Sequence, residues 1–306
     1  MKPIVYLFPQ DAAFGRALAA HLGAEVSEVD LHEFPDGEVL PRLALPCASR
    51  EVIFVCGGHR PNALALPLYF AATTARELGA TRVGLCTPYL AYMRQDTRFH
   101  DGESLSAPAY ARFLGNSFDW LVTVEAHLHR IESLDAVFPI PATNIPATEA
   151  LAPWIRDNVA NPVLVGPDRE SEPWTSRLAE CIQAPFLVLE KVRTGDRKVS
   201  VSIPDPKVIS GRTPVIVDDI ASSGRTMART VEALLASGAD KPVCIVVHAI
   251  FSGDAQEVIL RPGAAKIVST NTIAHETNTI DVTPMVAKVI QAQMVGAGAK
   301  TRATTA

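Results

Sequence analysis

Stretches of continuous apolar residues, each the length of one β-strand, alternate along this chain with segments of helical periodicity. The apolar stretches are IVYLF, EVIFVCGG, RVGLCTPYL, WLVTVEAH, PVLVGPD, FLVLEKV, PVIVDDI, PVCIVVHAIF and AKIVSTNTI. A strand exposed on one face alternates apolar with polar residues, so uninterrupted stretches indicate strands that are covered on both faces. The sequence therefore predicts an α/β fold with mainly parallel sheets.

Two segments half a chain apart repeat the order strand, loop, helix, Gly-Ala, strand. They are EVIFVCGGHRPN with ARELGATRVGLC, and PVIVDDIASSGRT with LLASGADKPVCIV. In a chain of 306 residues, this repetition predicts two related doubly wound domains. We expect an N-terminal domain over 1–147, a second domain over 148–283, a closing helix over 284–294 that packs on the N-terminal domain, and a mobile tail over 295–306.

Charge and hydropathy restrict the expected partners. A formal net charge of -5, without a run of Lys and Arg, argues against a nucleic-acid partner. The N-terminus MKPIVYLFPQDAAFG is predicted to be a strand interrupted by Pro9 rather than a signal peptide, and no apolar stretch approaches membrane-spanning length. We expect no membrane partner and a cytoplasmic location. The five cysteines form no C-x-x-C pair and are predicted to be reduced structural residues.

The stretch VIVDDIASSGRTM, residues 215–227, places two adjacent carboxylates where a predicted strand ends. Ligands of open α/β sheets bind at such strand ends. The next residues offer hydroxyl groups, backbone N–H groups and the positive end of a helix dipole to one phosphate. They are Ser222, Ser223, Gly224, Arg225 and Thr226. Asp218 and Asp219 are suited to accept hydrogen bonds from two sugar hydroxyls, so a phosphorylated ribose fits both parts.

One other interpretation of this acidic pair stays open on the residues alone, and a second fails. An isolated acidic pair most often caps the following helix. A Walker B strand with its metal-binding aspartate is the other, but it requires a G-x-x-x-x-G-K-[ST] loop, which the sequence lacks.

VIVDDIASSGRTM resembles the phosphoribosyl diphosphate binding motif that type I phosphoribosyltransferases share with ribose-phosphate diphosphokinases. Further stretches, in order over most of the chain, resemble the diphosphokinase family only. This resemblance implies two domains of the type I phosphoribosyltransferase kind, Mg²⁺ as cofactor, and ATP and ribose 5-phosphate as substrates. It also implies an N-terminal domain that binds ATP and forms oligomers, a second domain that binds ribose 5-phosphate, and a homo-oligomer of one or more dimers.

One of these stretches, HEFPDGEVLPRL over 32–43, resembles the family's adenine-recognising hairpin. The resemblance implies that Phe34, Asp36 and Glu38 contact the ATP of a neighbouring subunit. On its own residues, this stretch is better explained as an ordinary hairpin with a Pro-Asp-Gly turn.

A second stretch, TPYLAYMRQDTRFHDGESLSA over 87–107, resembles the family's PYxxYxRQD segment. The resemblance implies that Arg94, Gln95 and Asp96 contact the nucleotide. A guanidinium fork suits phosphate oxygens or the flat face of adenine, and an amide suits the edge of a base. A charged surface loop is the alternative.

His127 in LVTVEAHLHR and Asp168 in VLVGPDRE each follow a predicted strand, where the family binds the magnesium of ATP. The resemblance implies that both residues are metal ligands. One carboxylate and one imidazole suit a Mg²⁺ ion that is held mainly by a triphosphate. His127 with His129 would instead suggest zinc, but no third and fourth ligands occur at a suitable spacing.

FLVLEKVRTGDRKVSVSI supplies Lys191 and Arg193, which in the family close over the reacting phosphates. The resemblance implies a catalytic role for both, because phosphoryl-type transfer depends on stabilisation of developing charge. A solvated hairpin is the alternative interpretation.

The implied reaction transfers the β,γ-diphosphoryl group of Mg-ATP to ribose 5-phosphate and yields 5-phosphoribosyl 1-diphosphate and AMP. Two alternatives remain: a type I phosphoribosyltransferase, and a non-catalytic homologue that regulates synthetases. The second is motivated by GPDRESEPW, where Arg169, Glu170 and Glu172 replace the family's small Gly-rich turn. Ser222 and Arg225 also depart from the residues most members carry.

Overall fold

The computed structural model describes the backbone of residues 1–194, 198–202 and 205–303, and side chains outside 190–204, 206 and 295–306. The described chain divides into two compact units. Unit 1 contains Met1–Pro146 and Thr283–Ala306, and unit 2 contains Ala147–Val282.

Each unit alternates strands with helices. The elements of unit 1 are β1 (Ile4–Leu7), α1 (Ala12–Leu22), β2 (Glu25–Glu28), β3 (Asp30–Glu33), β4 (Val39–Arg42), β5 (Glu51–Val55), α2 (Pro61–Glu77), β6 (Arg82–Cys86), α3 (Ser106–Gly115), β7 (Trp120–Val124), β8 (Ala142–Ile145) and the last helix, α8 (Thr283–Ala303). The elements of unit 2 are α4 (Thr148–Asn158), β9 (Pro162–Gly166), α5 (Glu172–Ile182), β10 (Phe186–Val188), β11 (Glu190–Thr194), β12 (Lys198–Ser202), β13 (Thr213–Ala221), α6 (Arg225–Ala236), β14 (Val243–Ala249), α7 (Ala255–Leu260), β15 (Lys266–Thr270) and β16 (Asn278–Ile280).

The main sheets of the two units have the same topology. Among the described residues, the strand order is β2-β1-β5-β6-β7-β8 in unit 1 and β10-β9-β13-β14-β15-β16 in unit 2, and all neighbours pair in parallel. Counted within each unit, both orders read 2-1-3-4-5-6. Each unit also inserts an antiparallel hairpin after its second strand, β3–β4 or β11–β12. The predicted fold of two related, doubly wound α/β domains is confirmed.

The central strands are buried on both faces, as their continuous apolar sequences predict. In unit 1, the fully buried aromatic rings include Tyr6, Phe54 and Trp120. The Tyr6 hydroxyl donates to Leu45 O at 2.7 Å, so this buried polar group is satisfied. Gly84 lies opposite Trp120 in the pairing of β6 with β7, and a methyl group there would lie 2.0 Å from the indole ring. Close packing therefore requires glycine at this position.

Helix α8 returns the chain to unit 1. The Gln291 side-chain amide donates to His21 O at 2.9 Å, at the end of α1, and the Gln293 amide donates to Thr143 Oγ1 at 2.8 Å, in β8. The backbone is helical to Ala303, beyond the predicted helix end at 294. In the segment GAGAK after Val295, alanine and lysine favour helix, the two glycines oppose it, and no proline ends it.

Helices that would be long and apolar enough to cross a membrane do not occur among the described residues. All five cysteines are free thiols, four of them buried and Cys181 exposed.

A buried carboxylate stands where the strand order of unit 1 reverses, between β1 and β5. Asp11 is 6% exposed, and its Oδ2 accepts a hydrogen bond from the Gly57 N–H at 2.7 Å. Burial raises the pKa of Asp11 to about 6, although the Gly57 hydrogen bond opposes this shift. A raised pKa means that the contribution of Asp11 to stability is fully present below about pH 4 and is lost as the pH rises through about 6.

We therefore expect Asp11→Asn to stabilise the protein at neutral pH. Asparagine removes the buried charge but keeps an oxygen for the Gly57 N–H. Urea unfolding at pH 7.5 should give a free energy of unfolding roughly 2–3 kcal/mol above the wild type, and no gain at pH 4. The exposed Asp101→Asn is the control and should show no such difference. An equal gain at both pH values would contradict the electrostatic cause.

Candidate functional site

Three carboxylates meet at the strand-order reversal of unit 2, between β9 and β13. Asp168 follows β9, while Asp218 and Asp219 lie in the last part of β13. The aspartates were expected after the strand, but β13 continues to Ala221 because β14 is long enough to pair with it that far. The carboxyl ends of parallel strands at such a reversal form the usual ligand crevice of this fold.

The electrostatics of this cluster disfavour the ionised form of Asp218. Burial raises the pKa of Asp218 well above its usual range, and the carboxylates of Asp219 and Asp168 raise it further. The Asp219 N–H, 3.1 Å from Asp218 Oδ1, opposes the shift but does not reverse it. Hydroxyl hydrogens or a divalent cation would relieve this repulsion, and both are suited to carboxylate oxygens.

The loop after β13 leads directly into helix α6. Gly224 caps the helix in the left-handed conformation with φ of 70°, which glycine adopts at little cost. The first N–H groups of an α-helix have no acceptor within the helix, so this end offers them to an anion. Ser222 is partly buried, whereas Ser223, Arg225 and Thr226 are exposed. The predicted phosphate-binding residues therefore surround one helix N-terminus.

A second loop supports this one, and the sequence did not reveal it. The Phe251 N–H donates to Ala221 O at 2.9 Å, and the Ser252 N–H donates to Ser222 O at 2.8 Å. The hydroxyl oxygens of Ser222 and Ser252 lie 3.3 Å apart. These contacts continue the β13–β14 pairing beyond both strands. The FSG triplet after a long apolar stretch is the only local signal, and it does not identify its partner.

The segment after Asp168 forms a single helical turn before α5, in place of the family's Gly-rich turn. The Asp168 carboxylate accepts a hydrogen bond from the Ser171 N–H and so caps this turn. Arg169, Glu170 and Glu172 are all exposed. Because these three side chains are exposed, the backbone of the turn still follows directly from Asp168 of the carboxylate cluster.

In unit 1, the segment predicted to recognise adenine is the tip of the β3–β4 hairpin, as expected. The Phe34 N–H donates to Glu38 O at 2.8 Å, and Asp36 Oδ1 accepts from the Glu38 N–H at 3.2 Å. Phe34, Asp36 and Glu38 are all exposed, and the rings of His32 and Phe34 pack nearly perpendicular with centroids 4.5 Å apart. An exposed aromatic ring beside two carboxylates is available to a purine.

The RQD triplet follows β6, and its three side chains lie in different environments. Arg94 and Gln95 are exposed. The Asp96 side chain is 1% exposed and accepts a hydrogen bond from Arg130 Nη1 at 3.1 Å. The structure thus presents Arg94 and Gln95 to solvent, whereas Asp96 faces the protein.

The histidines follow β7 on a sharply turned segment. Glu125 has φ of 38°, a left-handed value that is unfavourable for a non-glycine residue. The Ala126 N–H donates to Asn144 Oδ1 at 2.8 Å and so holds this turn. The ring centroids of His127 and His129 lie 3.9 Å apart with an interplanar angle of 63°. His127 is partly buried, and His129 is exposed.

Lys191 and Arg193 lie on β11, and their backbones pair with Val201 and Val199 of β12. Their side chains lie outside the described part of the chain.

Two family models together match most of the chain. The N-terminal domain of ribose phosphate pyrophosphokinase matches residues 5–117, and the phosphoribosyl transferase domain matches residues 133–282.

Curated relatives match over nearly their whole length. A ribose-phosphate pyrophosphokinase of Methanopyrus kandleri is 31% identical over 290 residues, which cover 94% of this chain and 98% of the relative. One of Methanobrevibacter smithii is 30% identical over 290 residues, covering 90% and 96%. The crystal structure of phosphoribosylpyrophosphate synthetase from Mycobacterium smegmatis superposes with a TM-score of 0.85 at 21% identity, over 96% of this chain and all of that one. At this identity, the superposition shows a shared fold.

Proposed function

Because the chain belongs to the ribose-phosphate pyrophosphokinase family, we propose that it transfers the diphosphoryl group of Mg-ATP to the anomeric hydroxyl of ribose 5-phosphate. The hydroxyl oxygen bonds to the β-phosphorus, and the bond from that phosphorus to the α,β-bridging oxygen breaks. AMP leaves with the electron pair, and the hydroxyl proton passes to solvent. The products are 5-phosphoribosyl 1-diphosphate and AMP.

The observation that carries this proposal is the arrangement in unit 2. A carboxylate cluster and a glycine-capped helix N-terminus stand one loop apart, at the strand-order reversal. Ribose 5-phosphate has the matching groups, since its ring hydroxyls are donors for carboxylates and its phosphate is an anion for the helix end. A ligand with only a phosphate has no hydroxyl donors to offer the carboxylates.

In this proposal, the loop of residues 222–226 and the carboxylate cluster have separate tasks. The 5-phosphate accepts hydrogen bonds from the backbone and hydroxyl groups of the loop of residues 222–226. Asp218 and Asp219 accept hydrogen bonds from the ribose hydroxyls and thereby orient the anomeric hydroxyl. Alignment of reacting groups in favourable cases supplies roughly 7–11 kcal/mol of the barrier, so a general base is not required.

The residues present suit magnesium. Asp168 belongs to a cluster whose mutual repulsion a divalent cation would relieve, and carboxylate oxygen is a preferred ligand of this ion. Within unit 1, His127 offers an imidazole nitrogen to the metal of a bound nucleotide. When bound, Mg²⁺ supplies charge neutralisation to the phosphate chain. Asp168 meanwhile keeps its own turn capped through the Ser171 N–H.

On the nucleotide side, we assign the adenine to the exposed hairpin tip, where Phe34 stacks on the base and Asp36 and Glu38 accept its amino hydrogens. In the family's arrangement this hairpin serves a neighbouring subunit, which makes the protein a homo-oligomer. Arg94 and Gln95 contact the nucleotide directly, and their exposure supports that role.

Lys191 and Arg193 are proposed to meet the negative charge that develops at the β-phosphoryl group. The two residues are two positions apart on β11. Two nearby cations suit the spread charge of a phosphoryl-transfer transition state.

A product assay tests this function. The protein is incubated with Mg-ATP and ribose 5-phosphate, and AMP is measured with and without the sugar phosphate. We expect AMP only when both substrates are present. Release of diphosphate from 5-phosphoribosyl 1-diphosphate that depends on a nucleobase, without formation of AMP, would instead indicate a type I phosphoribosyltransferase.

A further inference from the structure

The RQD triplet and the histidine loop, residues 125–133, are joined by an ion pair that the mechanism above does not use. Arg130 Nη1 lies 3.1 Å from Asp96 Oδ1. The Asp96 side chain is 1% exposed, whereas the Arg130 side chain is 50% exposed. A carboxylate this deeply buried does not present its oxygens to a ligand, so direct nucleotide contact does not explain why it is there.

The two partners differ in how firmly they are held. Asp96 Oδ2 is buried and accepts no hydrogen bond from any described residue, so Arg130 is the neutralising partner that the hydrogen bonds reveal for this charge. An ionised carboxylate in such a position strongly favours a nearby cation, since removal of one partner leaves an uncompensated buried charge. This requirement fixes a long, half-exposed arginine that would otherwise sample many rotamers.

Arg130 belongs to a segment of unit 1 that also carries the proposed contact to the metal of the nucleotide. Arg130 directly follows His129 and is three residues from His127 on the same turned segment. Arg94 and Gln95 precede Asp96 on the other partner segment and are exposed. A planar guanidinium paired with a buried carboxylate is restricted in orientation, and its fork of N–H groups suits phosphate oxygens.

We propose that Arg130 binds the polyphosphate chain of the nucleotide, and that Asp96 is the positioning residue that aims it. This role rests on the proposed function, because it requires a nucleoside triphosphate at this face of unit 1. It changes the interpretation of Asp96, which acts on the nucleotide through Arg130 rather than by contact.

Equilibrium binding separates this role from a merely structural one. Calorimetry measures the affinity for α,β-methylene-ATP with Mg²⁺, and separately for AMP, which lacks the β- and γ-phosphates. Loss of a charge-assisted hydrogen bond corresponds to a change on the order of tenfold or more. We expect Arg130→Gln and Asp96→Asn each to weaken the triphosphate analogue on the order of tenfold and to change AMP affinity less than twofold.

The double variant D96N/R130Q tests whether Asp96 acts through Arg130. If it does, the double variant binds the analogue no more weakly than R130Q alone. Without the Arg130 guanidinium, Asp96 has no group left to orient. Additive losses would show that Asp96 contributes independently and would overturn the positioning role.

Two further variants control for folding and for charge. Arg16 is a half-exposed arginine of unit 1 that pairs with Glu28, so Arg16→Gln should leave both affinities unchanged. Should R130Q not fold, Arg130→Lys keeps a cation beside Asp96 and loses only the planar fork; it should still weaken the analogue more than AMP.

The failures are distinguishable. The role of Arg130 alone would be overturned if the wild type binds the analogue and R130Q and R130K bind it equally well. It would also be overturned if both variants lose affinity for AMP as much as for the analogue. A wild type that does not bind the analogue would contradict the proposed function, and the role of Arg130 with it.

Discussion

Asp218→Asn is expected to raise the melting temperature of the protein while it lowers turnover by a factor on the order of 100–1000. The two effects share one cause. Burial and the charges of Asp219 and Asp168 hold the pKa of Asp218 well above its usual range. Its contribution to stability is therefore present below about pH 4 and is lost as the pH rises through the raised value. Where the pH exceeds the raised value, removal of the charge relieves the folded protein of that repulsion.

The same substitution removes the charged acceptor proposed for a ribose hydroxyl. Asparagine presents an amide of nearly the same shape, so its effect is on charge rather than packing. Thermal unfolding and kcat/KM for ribose 5-phosphate measure the two effects in one variant. Asp157→Asn, an exposed carboxylate on α4, is the control and should change neither. A fall in both quantities for Asp218→Asn would contradict the view that this cluster exchanges stability for ligand binding.

Gly224→Ala is expected to abolish measurable binding of ribose 5-phosphate, a loss of at least about 100-fold. Gly224 has φ of 70°, and a methyl group there would lie 2.6 Å from Ala255 O and 2.9 Å from the Ile259 side chain. Neither neighbour is the flexible end of a long side chain. The loop must shift, and the donors that it presents to the phosphate shift with it.

Gly238, at the other end of α6, provides a matched control. Its φ is 82°, but a methyl group there meets no atom within 4 Å. Gly238→Ala therefore carries the same backbone strain, about 1–2 kcal/mol of stability, without the collision. It should keep its affinity for ribose 5-phosphate. If both variants lose binding equally, left-handed strain rather than the contact of Gly224 with α7 is responsible.

The α/β architecture follows from sequence because its signal is local. Each long apolar stretch contains a strand. In the two main sheets, the strands that lacked such a signal, β2, β8 and β16, are edge strands and are less apolar. The doubly wound topology follows from the alternation of strand and helix together with the repetition across the chain.

The site was predictable where one segment carries the chemistry and was missed where two distant segments must meet. Asp218 and the phosphate loop are adjacent in sequence, and their pattern alone indicates a sugar phosphate. The support from Ser252 to Ser222 joins residues 30 apart, and the Arg130–Asp96 pair joins residues 34 apart. Burial also decides roles that sequence leaves open, since RQD places three polar residues together and only the structure shows that Asp96 faces inward.

The fate of the γ-phosphate tests the central claim most directly, which is that ATP donates its two terminal phosphates as one unit. The protein is supplied with Mg²⁺, ribose 5-phosphate and ATP labelled at the γ-phosphate, and the products are separated. We predict label in the sugar product, in a one-to-one ratio with unlabelled AMP. Label in inorganic phosphate, or in a sugar bisphosphate formed together with ADP, would contradict it.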